Sequence, residues 1–166
     1  MKYFLIGFMG SGKSLIGKQL AEKLNIKYID LDNFIEKSEN RTITDIFNNS
    51  GEVYFRELEE RYLKETIKED NILVSTGGGT PTIHGLMDIM NNVGKTIYLE
   101  CCTETFFERL HKNKEKRPMI SVLSDKSLMR YIEKKMEERK FFYKKATHTI
   151  CNDRGSCVNK IIDVLG

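Results

Sequence analysis

The segment GFMGSGKS, residues 7–14, is the most informative part of this 166-residue chain. It matches the pattern GxxxxGK[ST] at every fixed position, and that pattern normally follows a strand and opens a helix. The apolar run YFLI at residues 3–6 predicts the strand. Apolar residues then recur at helical spacing, namely Leu15, Ile16, Leu20, Ala21 and Leu24. The sequence therefore begins with a strand, a phosphate-binding loop and a helix.

The residue types in this loop suit a nucleoside triphosphate. Its glycines let backbone N–H groups turn inward around phosphates, and the helix that follows adds the positive end of its dipole. Lys13 can reach the β- and γ-phosphates as a point charge, and the Ser14 hydroxyl is a hard oxygen ligand for Mg²⁺. The loop thus predicts a phosphate donor bound together with magnesium.

The rest of the chain alternates short apolar runs with helical patterns. Strands are predicted at residues 28–31, 72–74 and 96–99, with a weaker one at 148–150, and helices at 55–67, 103–111 and 128–145. Such alternation is typical of an α/β fold, in which a mostly parallel sheet is covered by helices on both faces. At 166 residues we expect a single domain.

Composition excludes several classes of protein. Lys plus Arg is 27 and Asp plus Glu is 24, and a net charge of +3 is too small for a dedicated nucleic-acid binder. No stretch approaches the roughly 20 apolar residues that a membrane span needs. Cys101, Cys102, Cys151 and Cys157 form no CxxC pair, so we expect reduced thiols in a cytoplasmic protein.

Three loops should meet at one edge of the sheet, because ligands of open parallel sheets bind outside the carboxyl ends of the strands. These loops are residues 7–14, 30–32 and 77–79. Asp30 and Asp32 are two residues apart at a strand end, where an extended chain would place them on one face. One would hold the metal through water, and the other would accept hydrogen bonds from an attacking hydroxyl or take its proton. The alternative is that Asp32 only caps a helix and Asp30 is only solvated.

Three consecutive glycines, Gly77, Gly78 and Gly79, follow the strand predicted at residues 72–74. Glycine loses more conformational freedom on folding than any other residue. A run of three therefore indicates close approach of the backbone to a ligand. The alternative is a plain tight turn.

Three arginines are candidates for binding anionic groups. The planar guanidinium groups of Arg56 and Arg139 suit a carboxylate, although each could equally form a surface ion pair. Arg117 lies in a basic segment that a proline interrupts, which favours a mobile lid carrying a cation for the transferring phosphoryl group. The alternatives for residues 112–117 are a solvated loop and a patch that contacts RNA.

Taken together, these motifs resemble the shikimate kinase family over nearly the whole chain. The matching pieces are GFMGSGKS, the Asp30-Leu31-Asp32 strand end, GEVYFRELE, STGGGT, RPMI at residues 117–120, and Arg139 with Tyr143 downstream. The resemblance implies transfer of the ATP γ-phosphate to the 3-hydroxyl of shikimate. It also implies a five-stranded parallel sheet of the nucleoside-monophosphate-kinase kind, with a substrate-binding helical segment at residues 33–61 and a lid at 111–125.

The resemblance also implies a role for each matching residue. The ATP phosphates would be held by Gly10, Ser11, Gly12, Lys13, Ser14, Leu15 and Arg117. Mg²⁺ would be bound by Ser14 and Asp30, and shikimate by Asp32, Arg56, Gly77, Gly78, Gly79 and Arg139. Lys13, Asp32 and Arg117 would be the catalytic residues. Arg109 would stack on adenine, with the loop of Asn152, Asp153 and Arg154 nearby. We expect a monomer.

One position departs from the family pattern, which reads Arg-x-Pro-x-Tyr around the second carboxylate-binding arginine. Here Phe141 replaces the proline, while Arg139 and Tyr143 keep their spacing. Because that proline helps to fix the backbone after the arginine, the departure bears on how Arg139 is oriented.

Other functions remain open from the sequence. The nearest is another small-metabolite kinase with a phosphate-binding loop, such as a gluconate kinase. The combination of GExxFR with three glycines favours shikimate over gluconate. A nucleoside monophosphate kinase should carry base-recognition features that we do not find. A catalytically silent module of this fold would have no need to keep Lys13, Ser14, Asp32 and Arg117 together.

Overall fold

The computed structural model describes residues 1–155 and 157–166, with residues 116 and 118 described in their backbone only. Five parallel strands form one sheet in the order β2-β3-β1-β4-β5. The strands are β1 (Lys2–Ile6), β2 (Lys27–Asp30), β3 (Ile72–Ser75), β4 (Lys95–Glu100) and β5 (His148–Cys151). This confirms the predicted parallel α/β architecture.

Helices cover both faces of the sheet. They are α1 (Lys13–Leu24), α2 (Leu31–Glu39), α3 (Ile43–Thr66), α4 (Leu86–Val93), α5 (Thr103–Lys112), α6 (Pro118–Ser121), α7 (Asp125–Tyr143) and α8 (Val158–Leu165). Two short 3₁₀ turns lie at Thr80–Thr82 and Lys114–Lys116. In the part of the chain that the structure describes, no helix is both long and apolar enough to cross a membrane.

Alternation along the strands builds two separate cores. In β1, Phe4 and Ile6 pack on the face covered by α3, α4, α5 and α7, whereas Tyr3 and Leu5 pack on the face covered by α1 and α8. Successive side chains of a strand point to opposite faces, so a strand buried on both sides becomes continuously apolar. The uninterrupted run YFLI reflects this position at the centre of the sheet.

The strand order brings the three loops to one edge. β3 lies between β1 and β2, and Ser75 at its end is in register with Leu5 on one side and Asp30 on the other. The ends of all three strands therefore lie side by side, as the sequence predicts. This edge carries the candidate site.

The prediction of a strand that continues to Leu31 was wrong. β2 ends at Asp30, whose side chain caps α2 by accepting a hydrogen bond from the backbone N–H of Asn33 at 3.3 Å. Asp32 lies in the first turn of α2 and is not its cap. The two carboxylates are brought to the site by a strand-to-helix turn, because a capping aspartate ends the strand.

Helix α3 is longer than the sequence pattern indicates, and it is kinked. It begins after Thr42, which forms a capping box with Asp45, so it starts twelve residues before the predicted position 55. Gly51 interrupts it with φ 82° and ψ 170°, a conformation essentially confined to glycine. The kink separates the first part from the second part, which carries Arg56.

Candidate active site

The phosphate-binding loop adopts a conformation that only glycine tolerates easily. Gly10 and Gly12 have φ values of 81° and 92°, in the left-handed region. Within the loop the backbone N–H of Ser11 donates to Phe8 O at 3.1 Å. The sequence pattern of the loop thus corresponds to a real backbone requirement at two of its glycines.

Backbone carbonyls of the phosphate-binding loop hold the side chain of Lys13. Its Nζ atom donates to Gly7 O at 2.7 Å and to Phe8 O at 3.0 Å. Burial, together with the charge of the nearby Arg117, lowers the pKa of Lys13 to about 8, and the charge of Asp32 partly opposes this shift. An anion in the loop would favour the charged lysine, so this site is prepared for phosphate.

Two oxygen ligands for a divalent cation lie next to the loop. The Ser14 hydroxyl donates to Asp30 Oδ2 at 2.9 Å, and both residues line the same cavity. A hydroxyl and a carboxylate at this separation are hard ligands of the kind that Mg²⁺ prefers. These two residues therefore fit the magnesium site expected from the sequence.

Two carboxylates, those of Glu59 and Asp32, lie against Gly77. Glu59 is fully buried and accepts a hydrogen bond from Thr80 Oγ1 at 2.5 Å as well as one from Arg56. Asp32 Oδ1 is buried without a hydrogen-bond partner among the described residues. Burial, together with the charges of Glu59 and Asp30, raises the pKa of Asp32 to about 7 against the opposing charge of Lys13. A carboxyl with this pKa can exchange a proton near neutral pH.

The three glycines leave room for these side chains. A methyl group on Gly77 would lie 2.5 Å from Glu59 Oε1 and 3.1 Å from Asp32 Oδ1. One on Gly78 would lie 3.2 Å from Arg139 Nη1, and one on Gly79 would clash with the guanidinium of Arg56. The close approach predicted from the sequence is thus made, in this structure, by the protein's own charged side chains.

The two arginines expected to bind a carboxylate, Arg56 and Arg139, lie against the neighbouring Gly79 and Gly78. Arg56, on α3, also pairs with Glu52 at 3.1 Å, and Arg139, on α7, lies 5.8 Å from the Phe8 ring. Tyr143 Oη donates to Gly78 O at 2.6 Å and so ties α7 to the glycine loop. The structure thus brings two guanidinium groups that are far apart in the sequence to the same glycine loop.

Phe141 leaves this arrangement intact. Helix α7 continues through it to Tyr143, whereas a proline would remove one of the helical hydrogen bonds. The Phe141 ring is 69% exposed and packs against Lys145 through a cation–π contact of 5.1 Å. An unbroken helix therefore replaces proline in setting the spacing between Arg139 and Tyr143.

Two adjoining cavities open at this edge. One, of about 370 Å³, is lined by the phosphate loop and by Asp30, Asp32, Gly77, Gly78, Arg109 and Arg117. The other, of about 650 Å³, is lined by Met9, Asp32, Glu36, Ile43, Thr44, Phe47, Asn48, Arg117 and Met119. Asp32 and Arg117 line both cavities, so they lie where a donor in one and an acceptor in the other would meet.

Arg117 lies between two short helical turns. It adopts an extended conformation after Lys114–Lys116 and immediately before α6, which agrees with a helix break at this point. Its Nε atom is buried without a hydrogen-bond partner among the described residues. Burial lowers the pKa of Arg117, but a guanidinium remains charged. A partly buried cation that lines both cavities is suited to an anionic ligand.

Arg109 lines the 370 Å³ cavity, but its side chain is hydrogen-bonded to backbone carbonyls. Its guanidinium donates to Gly10 O at 3.1 Å, to Asn152 O at 2.6 Å and to Asp153 O at 3.1 Å. It therefore links the phosphate loop to the loop that follows β5. Leu15 is 60% exposed and lines the 370 Å³ cavity from the other side.

Sequence reasoning missed two residues of the site. Glu59 follows Arg56 by three residues, and this helical spacing alone could have revealed the pair. Asn152 was noted only as part of a loop near adenine, yet its side chain is buried against the phosphate loop. No local sequence pattern predicts the contact between Asn152 and Ser11, because these two residues are 141 positions apart.

Comparison with known proteins supports the family resemblance. The family model described as shikimate kinase matches residues 9–165. The shikimate kinase of Bacteroides fragilis is 38% identical over 154 residues, covering 93% of this chain and 86% of that protein.

Solved structures agree with this match. The crystal structure of shikimate kinase from Bacteroides thetaiotaomicron superimposes with a TM-score of 0.96 at 36% identity, covering 99% of this chain and 98% of that one. Shikimate kinase from Acinetobacter baumannii, solved in complex with shikimate, gives a TM-score of 0.88 at 30% identity, covering 99% of this chain and 92% of that one.

Proposed function

The chain belongs to the shikimate kinase family, and we propose that it transfers the γ-phosphate of ATP to the 3-hydroxyl of shikimate. The observation that carries this proposal is the pair of adjoining cavities that share Asp32 and Arg117. One cavity contains a phosphate-binding loop. Asp32 lies where the two cavities meet, and Arg139 and Arg56 lie against Gly78 and Gly79. A carboxylate for hydroxyl groups and two arginines for a carboxylate together suit a small polyhydroxylated acid.

On the donor side, the chain would act mainly by positioning and by charge. Gly10, Gly12 and Lys13 would hold the ATP phosphates, and Leu15 and Arg109 would border the nucleotide. Ser14 and, through water, Asp30 would hold Mg²⁺, which when bound would supply positive charge to offset that of the phosphates.

On the acceptor side, Arg56 and Arg139 would bind the carboxylate of shikimate, and the backbone of residues 77–79 would lie against the ligand. Asp32 would accept hydrogen bonds from its hydroxyl groups. As the 3-hydroxyl oxygen bonds to the γ-phosphorus, Asp32 would take the hydroxyl proton and ADP would leave. A pKa of about 7, raised by burial, suits that transfer.

Two segments would close over the substrates. Residues 111–125 form the proposed lid, which carries Arg117, and residues 33–61 form the proposed substrate-binding segment. Gly51 lies within the latter and supplies a kink. A monomer in the cytoplasm remains a prediction of the sequence.

The direct test is release of ADP from the purified protein with MgATP and shikimate, gluconate or no acceptor. We expect turnover with shikimate alone. Turnover with gluconate would preserve the kinase but overturn the acceptor assignments. Absence of turnover with every acceptor, despite tight ATP binding, would favour a catalytically silent module.

Replacing Arg56 with alanine should chiefly raise the KM for shikimate, by roughly 100-fold, since a hydrogen-bonded ion pair with the substrate carboxylate is lost. The KM for ATP should change little. Steady-state kinetics measure both constants. Arg130→Ala, which removes an exposed arginine from α7, is the control and should leave both unchanged. An unaltered KM for shikimate in Arg56→Ala would contradict the carboxylate assignment.

A further inference from the structure

We propose that Asn152 is a positioning residue that holds the phosphate-binding loop in its anion-binding conformation. It follows β5, at the far end of the edge that carries the site. Only 2% of its surface is exposed, and its Nδ2 atom donates to Ser11 O at 2.8 Å. The contact therefore joins the loop after β5 directly to the backbone of the phosphate loop.

The geometry of the peptide unit explains why this contact matters. In a planar trans peptide, the carbonyl of one residue and the N–H of the next point in opposite directions. Asn152 holds the Ser11 carbonyl on the outside of the loop, so the Gly12 N–H is directed to the opposite side. Gly12 lines the 370 Å³ cavity, where the phosphates are expected. One hydrogen bond thereby orients a donor towards the ligand.

The loop needs an external tie at this point. Gly12, with φ 92°, is permissive enough for the peptide before it to rotate, and the first hydrogen bond at the start of α1 reaches back only to Gly12 O. The Ser11 carbonyl lies outside that helical ladder. A methyl group on Gly12 would lie 2.8 Å from Asn152 Nδ2, so the two residues fit closely.

The position of Asn152 is itself held firmly. Its backbone N–H donates to Glu100 O at 2.8 Å, and its carbonyl accepts from Arg109, which also donates to Gly10 O. Its Oδ1 atom is buried without a hydrogen-bond partner among the described residues.

This role differs from contact with adenine. The Asn152 side chain faces the loop and is absent from the residues that line the 370 Å³ cavity, so its removal should weaken phosphate binding with or without a base attached. The inference rests on the proposed function only in that the loop binds nucleotide phosphates. Its test does not depend on which acceptor is phosphorylated.

The test measures the affinity of Asn152→Ala for MgADP and for magnesium tripolyphosphate by calorimetry. We expect both dissociation constants to rise about tenfold, as for loss of one hydrogen bond that orients a donor to a charged group. The affinity for shikimate, measured without nucleotide, should stay within about twofold. Asn152→Ser, a smaller change, repeats the test if alanine prevents folding.

Asn91→Ala is the matched control. Asn91 Nδ2 also donates to a backbone carbonyl, that of Lys145 at 2.9 Å, but away from the site. This variant should lose thermal stability and keep both phosphate affinities. Weakened binding of ADP with unchanged binding of tripolyphosphate would overturn the inference and indicate a contact with the base. Unchanged binding of both, or equal losses for shikimate and phosphates, would overturn it as well.

Discussion

Replacing Arg117 with alanine should lower kcat by roughly 10³-fold or more, the scale seen when a cation that stabilises a transferring phosphoryl group is removed. The KM for ATP should change far less, because the interaction strengthens as charge develops during transfer. Steady-state kinetics with saturating shikimate provide both numbers.

The position of Arg117 is the reason for this expectation. It lines both cavities, so its charge lies close to the path between donor and acceptor. The buried Nε atom without a partner among the described residues indicates a guanidinium not yet fully engaged by the protein. Proposed closure of residues 111–125 would bring it onto the phosphates.

Lys112→Ala is the control for Arg117. Lys112 is an exposed cation five residues earlier in the same basic segment, and it should keep nearly full activity. Equal losses in the two variants would mean that the overall charge of the segment matters and that Arg117 has no special role. A normal kcat in Arg117→Ala would remove this residue from the catalytic assignments.

Replacing Asp32 with asparagine should lower kcat by roughly 10²- to 10⁴-fold, the range for loss of a positioned general base. Asparagine has nearly the same size but cannot take up the hydroxyl proton. The KM for shikimate should rise as well, since a charged carboxylate that would accept hydrogen bonds from the substrate hydroxyls becomes a neutral amide. Asp88→Asn, an exposed change in the first turn of α4, should leave both constants unaltered.

The pH dependence gives a second view of Asp32. A base must be ionised to act, so kcat/KM should increase as the pH rises through the pKa of the group. Burial raises that pKa to about 7 in the protein alone, and bound Mg²⁺ would move it lower. This acidic limb should disappear in Asp32→Asn. Its persistence would assign the limb to another group and contradict the role of Asp32 as base.

The phosphate-binding loop and the class of the fold could be predicted from the sequence alone. The loop at residues 7–14 is recognisable because its spacing records a local backbone requirement, the left-handed φ of Gly10 and Gly12. The parallel sheet was predictable because strands buried on both faces become continuously apolar. Both features depend on short stretches of chain, so neither needs knowledge of distant contacts.

Prediction from apolar periodicity was wrong at element boundaries that are set by capping polar side chains. Asp30 ends β2 and caps α2, although the apolar pattern of residues 28–31 favours one more strand residue. The early start of α3 likewise depends on the capping box of Thr42 and Asp45. Caps override apolar periodicity because they satisfy backbone groups that the helix end would otherwise leave unpaired.

Contacts between polar groups far apart in the sequence became known only from the three-dimensional structure. Glu59 reaches Thr80, Tyr143 reaches Gly78 O, and Asn152 reaches Ser11 O across 141 residues. Apolar patterning sets which face of an element is buried, whereas it leaves open which buried polar atoms become partners. Those pairings arise when the strand order β2-β3-β1-β4-β5 brings separate loops to one edge, where most buried donors and acceptors find partners.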